Sequence, residues 1–194
     1  MCLRIWKMKI AIIAWGSLVW DPRTLQIKGD WNNIGPMLKI EFSRVSKDGR
    51  LTLVIDADNG EEVKTYFAES KRTDLGDAIA DLRDREGTIR KHIGFVDVIS
   101  KNNSKSEFSN QIDVFTKIQD WCRSKSYDAA VWTALPSQFK DQTKLEFSVD
   151  NAIFYLQNLP KSARENALEY IRNAPKQIIT PVRRKIEEFN YNLS

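Results

Sequence analysis

The stretch from Ile10 to Val19 limits what this chain can fold into more than any other. It follows Met8-Lys9 and is apolar apart from Gly16-Ser17. A run of this length falls well short of the roughly 20 residues that cross a bilayer. It imitates the apolar centre of a secretion signal, but such a signal needs a small-residue cleavage site behind it. Trp20-Asp21-Pro22-Arg23 stands there instead. The run therefore belongs to a folded core, and Ile10–Ala14 reads as a buried strand. Met8 is an alternative start, residues 1–7 then being an upstream extension.

The rest of the composition agrees with a core-forming chain. Of 194 residues, 42% are hydrophobic and 29% charged, which excludes collagen-like, mucin-like and disordered classes. The length suits a single domain over residues 1–194, with 148–194 as a helical C-terminal segment. The net charge of +4 is small and both signs are interspersed, so nucleic acid is not the expected partner. Cys2 and Cys122 are too few for a disulfide framework. With the single His92 they cannot supply a standard four-ligand zinc site, so no metal or other cofactor is called for. A reduced, cytoplasmic setting and no membrane association follow as expectations.

Periodicity gives the remaining elements. Leu38, Ile40 and Phe42 alternate with Lys39 and Glu41, Lys47-Asp48-Gly49-Arg50 is a turn, and Leu51, Leu53 and Ile55 alternate again, which predicts a β-hairpin. Val63–Ala68 and His92–Ile99 read as strands, and Ala129–Ala134 as a short strand around Trp132. Asp21-Pro22 predicts a short capped helical turn. Thr73 is expected to cap a helix that runs through Glu86 and closes at Gly87. Lys101–Asn110 reads as an exposed loop and Gln111–Lys125 as a helix. In the last third, Val149, Ile153 and Leu156 form one stripe, Ser162 to Glu165 fits a capping box, and Thr180-Pro181 opens a helix with Val182, Ile186 and Phe189 on one face. Strands first and helices last give an α+β fold, a curled sheet or small mixed barrel with flanking helices and a helical C-terminal third.

Few residues suggest chemistry. Gly16 lacks a Cβ, so the backbone behind the first strand can turn sharply. The N–H groups of Gly16, Ser17 and Leu18 can then form a nest for a carboxylate or a developing oxyanion. The plainer alternative is a tight turn before a capped helix. The loop is neither a P-loop nor a dinucleotide fingerprint, because the later lysine and glycines are missing. Glu86 lies four residues beyond Leu82 on the stripe of Leu75, Ile79 and Leu82, so it continues an inward face. A carboxylate whose charge is disfavoured by burial and by the helix C-terminus is suited to general-base work. Alternatively the helix frays and Glu86 pairs with Arg90. Arg44 shares strand parity with Leu38, Ile40 and Phe42 and could bind a carboxylate bidentately, unless a bulge changes the parity. Ser17 with His92 is a weak hydrolase pair without a Gly-x-Ser-x-Gly elbow. Trp15, Trp20, Trp31 and Trp132 read first as core or rim packing, and Arg183-Arg184-Lys185 as a solvated helix face.

Two of these features occur together in a known family. Trp15-Gly16-Ser17-Leu18 behind an early strand, then a hairpin, then a helix ending in Leu82-Arg83-Asp84-Arg85-Glu86-Gly87, resembles the γ-glutamylcyclotransferase-like superfamily over roughly the first half of the chain. The resemblance implies a small mixed barrel with flanking helices. It implies that Trp15, Gly16, Ser17 and Leu18 hold a small γ-glutamyl substrate and that Glu86 is the acid/base, with 5-oxoproline and an amine as products and no metal. Arg44 joins them as a substrate-binding candidate on the parity argument. The family usually has tyrosine where this chain has Trp15, and often a tyrosine where Arg90-Lys91-His92 stands. The alternative is a non-catalytic module on the same fold that binds a small ligand or a protein.

Overall fold

The computed structural model describes residues 7–104 and 112–188. Its strands are β1 (Ile10–Ala14), β2 (Ile27–Asn32), β3 (Met37–Val45), β4 (Leu51–Ile55), β5 (Glu61–Lys64), β6 (Tyr66–Ser70), β7 (Ile93–Asp97) and β8 (Ala129–Thr133). Its helices are α1 (Leu75–Glu86), α2 (Ile112–Ser124), α3 (Phe139–Thr143), α4 (Val149–Gln157), α5 (Lys161–Asn173) and α6 (Pro181–Glu188), with a short 3₁₀ turn over Arg90–His92. They fall into two compact units. The first comprises the chain up to Ala14, Pro22–Pro36 and Thr65–Ala134; the second comprises Trp15–Asp21, Met37–Lys64 and the chain from Leu135 onward.

The first unit is built on a mixed five-stranded sheet in the order β2-β6-β1-β8-β7. All five residues of β1 are buried, as expected of a continuous Ile/Ala run flanked on both edges. β1 runs antiparallel to β6, with Ile12 opposite Ala68, and parallel to β8, with Ile12 opposite Val131. Helices α1 and α2 both pack on β7 and β8. Trp132 of β8 is fully buried and meets Phe115 of α2 edge to face, ring centroids 5.2 Å apart. Cys122 of α2 is buried as well, which pushes its thiol up to about 12 and away from nucleophilic use.

The second unit is built on a three-stranded antiparallel sheet in the order β4-β3-β5. The β3–β4 hairpin is the one expected from the alternation. Helices α3 and α6 pack on β3, and α5 packs on β4. Ser148 caps α4 by accepting from the Asn151 N–H at 3.1 Å, and Ala152, Ile153 and Leu156 form its buried face. The protein is thus mixed α+β with a helical C-terminal third. Among the described residues the strands form two open sheets, and no pairing closes either into a barrel.

Several local expectations are corrected. Val63–Ala68 is not one strand: it breaks at the buried Thr65, and its halves join different sheets. Thr65 donates from both its N–H and its hydroxyl to the Pro36 carbonyl, which bends the chain there. Asp21-Pro22 starts no helix, because Arg23 adopts φ 51° in a turn closed from Leu25 N–H to the Pro22 carbonyl. Asp74, not Thr73, caps α1 by accepting from Asp77 N–H at 3.0 Å, and Gly87 closes it with φ 58°, as expected. Pro160 precedes α5, so Ser162 lies inside the helix and forms no capping box. The strand read as His92–Ile99 is the shorter Ile93–Asp97. Of the Lys101–Asn110 loop only Lys101–Ser104 is described, and Ser104 there is buried, accepting from Phe95 N–H. Cys2, Gln111 and Phe189 lie outside the described residues.

Candidate functional site

The Trp15–Leu18 loop leaves the buried end of β1 and belongs to the second unit. Trp15 is 4% exposed and its indole Nε1–H donates to the Leu53 carbonyl at 3.3 Å, which ties the loop to β4. Two turns follow: Val19 N–H donates to the Gly16 carbonyl at 3.0 Å, and Asp21 N–H to the Ser17 carbonyl at 2.8 Å. Leu18 is buried, while Gly16 and Ser17 are half-buried. Gly16 has no unusual φ, but the space around its Cα is tight. A Cβ there would stand 3.0 Å from the Tyr170 hydroxyl and 3.9 Å from Leu53 Cβ.

Tyr170 comes from α5, whose buried face is Ala167, Leu168, Tyr170 and Ile171. Its ring meets Trp20 and Phe42 edge to face, at 5.3 and 6.4 Å between centroids. The Arg50 guanidinium lies over the same ring, 5.4 Å from its centroid. Arg50 also pairs with Asp48 at 2.8 Å. Burial alone would raise Asp48, but the Ser46 hydroxyl and Arg50 outweigh it and hold its carboxyl below the usual range. The sequence reading missed Tyr170. Its place three residues after Ala167 marks it as inward, but nothing in the sequence says that it meets Gly16.

Arg44 is also in the second unit, half-buried, with Nη1 donating to the Pro136 carbonyl at 3.1 Å. Desolvation lowers its pKa. It does not share the side of Leu38 and Ile40. Glu41 pairs with Val54 but Arg44 with Thr52, so β3 carries one extra residue between them. This is the bulge that the parity argument left open, and it moves the buried set onto Ser43 and Val45.

Glu41, which alternation places toward solvent, lies ahead of that bulge in regular pairing with Val54. Glu41 is fully buried. It accepts from Phe42 N–H at 2.6 Å, from Val182 N–H at 3.3 Å and from the Thr180 hydroxyl, at the start of α6. Desolvation, against these hydrogen bonds and with help from Asp56, raises its pKa to about 7. Arg183 of α6 is buried too, correcting the solvated-face reading. Its Nη1 donates to the carbonyls of Pro175 at 2.8 Å and Ile178 at 3.2 Å, and its Nε to Glu187 at 3.1 Å.

Glu86 lies in the first unit at the C-terminal end of α1. Its side chain is 15% exposed and accepts from Arg85 Nη1 at 2.8 Å. Arg85, not Arg90, is its partner, and Arg85 is itself on the buried face with Ala78, Ile79 and Leu82. Arg90 instead donates to the Ile93 carbonyl and lies over the Phe95 ring. His92 Nδ1 is 2.7 Å from the Thr88 hydroxyl, so its described partner is Thr88. The structure thus gathers Trp15, Gly16, Ser17, Leu18 and Arg44 in one unit and Glu86 in the other. Among the described residues no group of three His, Cys, Asp or Glu is placed to hold a metal ion. No described helix is long and apolar enough to cross a membrane.

Compared with known proteins, the chain matches no family model, no curated relative and no solved structure.

Proposed function

We propose that the protein is a cytoplasmic γ-glutamylcyclotransferase-like enzyme that releases 5-oxoproline and an amine from a small γ-glutamyl compound. The observation that carries this reading is Glu86, a carboxylate largely withdrawn from water at the Gly87-capped end of α1. The Trp15–Leu18 loop supports it, since it leaves a buried strand with a glycine at its bend. The small barrel of that family belongs to the same proposal, and β1 at the centre of a mixed sheet supports its sheet.

The chemistry is a ring closure within one molecule. The substrate's α-amine attacks its own γ-carbonyl carbon, a new C–N bond forms, and the bond to the leaving nitrogen breaks. Holding both partners in one ligand removes most of the entropic barrier. Glu86 takes the proton from the attacking amine and returns it to the leaving nitrogen. The N–H groups of Gly16, Ser17 and Leu18 hold the carboxylate or the developing oxyanion.

The test is 5-oxoproline release from a panel of γ-glutamyl amides, with Glu86→Gln beside wild type. Release by wild type and none by the variant, with its fold intact by melting, is the expected result. An active Glu86→Gln variant would sink the assignment of the base. One observation favours a second reading, a non-catalytic binding module. The Arg85 guanidinium already occupies an oxygen of Glu86. That reading expects ligand-induced stabilisation without product.

A further inference from the structure

Asn59-Gly60 is the one Asn-Gly pair in the sequence, and it lies in the turn that joins β4 to β5. Such a pair is open to spontaneous deamidation, because glycine carries no side chain to hinder the approach of its nitrogen to the asparagine amide. The fold demands glycine at position 60. A Cβ there would stand 2.5 Å from the Asp56 carbonyl oxygen, 2.7 Å from the Lys39 carbonyl carbon and 2.8 Å from the Ile40 nitrogen, all backbone atoms. Asn59 is held by Asp56, which is 5% exposed. One carboxyl oxygen of Asp56 accepts from the N–H groups of Asp58 at 3.1 Å and Asn59 at 3.0 Å. Both oxygens accept from the Asn59 side-chain amide, each at 3.2 Å. The Gly60 N–H donates to the Asp56 carbonyl at 2.9 Å.

These contacts hold the reaction back. Deamidation begins when the Gly60 nitrogen, having lost its proton, attacks Asn59 Cγ. A new C–N bond closes a five-membered succinimide, the Cγ–Nδ2 bond breaks and ammonia leaves. Water then opens the ring at either carbonyl, giving aspartate or isoaspartate with an added negative charge. In the turn the Gly60 proton is engaged by a carbonyl, the Asn59 amide is engaged by Asp56, and the Asp56 carboxylate repels the charge that builds on the attacked oxygen.

We propose that Asn59 is a spontaneous deamidation site latched by Asp56: it stays closed while the β4–β5 turn is intact and converts when the turn opens. The product sets a second carboxylate where Asp56 had a donor, so conversion weakens the turn that had prevented it.

The test follows the peptide containing Asn59 by mass spectrometry over time at mildly alkaline pH. It compares folded wild type, wild type unfolded with guanidinium, and folded Asp56→Asn. Asp56→Asn keeps an acceptor for the two turn N–H groups and removes the charge; Asp56→Ser takes its place if that variant does not fold. Wild type should convert roughly 10- to 100-fold more slowly folded than unfolded, the worth of a hydrogen bond to a charged group. The folded variant should recover most of that difference. Equal rates in folded and unfolded wild type would overturn the latch. A slow wild type beside an equally slow folded variant would overturn the part given to Asp56. Asn59→Asp should melt below wild type, and an unchanged melting temperature would overturn the weakening by the product.

Discussion

Glu41 should make the protein less stable as pH rises through neutrality. The carboxyl is fully buried on β3 beneath the start of α6, and its pKa is raised from 4.5 to about 7. A raised folded-state pKa means that the folded chain holds the proton more tightly than the unfolded chain. The resulting stability is complete below the unfolded value of 4.5 and is lost as pH climbs to about 7. The full span corresponds to about 3 kcal/mol, and most of it disappears between about pH 5 and pH 8. Glu41→Gln removes the titration but sets an amide N–H₂ where an oxygen met a donor, at a cost of about 1–2 kcal/mol. The two proteins should therefore cross: wild type the more stable near pH 5, the variant equal or more stable near pH 8. Urea unfolding at a series of pH values, followed by tryptophan fluorescence, reads this directly. A difference between the two that stays constant with pH, or one that favours wild type more at pH 8, would refute the reasoning.

Two further perturbations test the packing around the candidate loop and α6. Gly16→Ala places a Cβ 3.0 Å from the Tyr170 hydroxyl and should cost about 1–3 kcal/mol by overpacking, a loss largely relieved in the Tyr170→Phe background. A double-mutant cycle by chemical denaturation measures the coupling, and purely additive changes would contradict the close approach. Arg183→Met keeps the aliphatic stem but abandons the Pro175 and Ile178 carbonyls, so it should destabilise by about 2–4 kcal/mol in the same assay. A loss under about 0.5 kcal/mol would mean that water replaces the guanidinium.

Local rules reached the elements whose pattern repeats. Ile10–Ala14 is strand at the expected bounds because five apolar residues in a row tolerate burial on both faces. The β3–β4 hairpin follows from alternation on both sides of a turn, and the end of α1 follows from a glycine that accepts φ 58°. What local rules missed was set from a distance. β2 reads Ile-Lys-Gly-Asp-Trp-Asn, with neither alternation nor an apolar run, and is a strand because β6 offers it an edge. Thr65 splits an otherwise even strand because Pro36, far off in sequence, takes both of its donors.

The same division runs through the candidate site. The bend behind β1 and the glycine-closed end of α1 follow from short patterns with their own logic, but Arg85 and not Glu86 completes the buried face of that helix. The partners of the site residues do not follow from such patterns. Alternation assigns Glu41 to solvent and Arg44 to the interior; one extra residue in β3 undoes the second assignment, and Glu41 is buried ahead of it. The reason to bury Glu41 lies at the start of α6, where the Val182 N–H and the Thr180 hydroxyl before the helix need an acceptor. Arg183 likewise reads as part of a basic run, and only the turn from Pro175 to Ile178 gives it carbonyls to satisfy. Tyr170 reads as one more apolar-face aromatic until Gly16 is found against its hydroxyl. In each case the residue type was visible and the partner was not. A polar group in an apolar context is therefore the feature to follow: it marks where a distant segment must arrive.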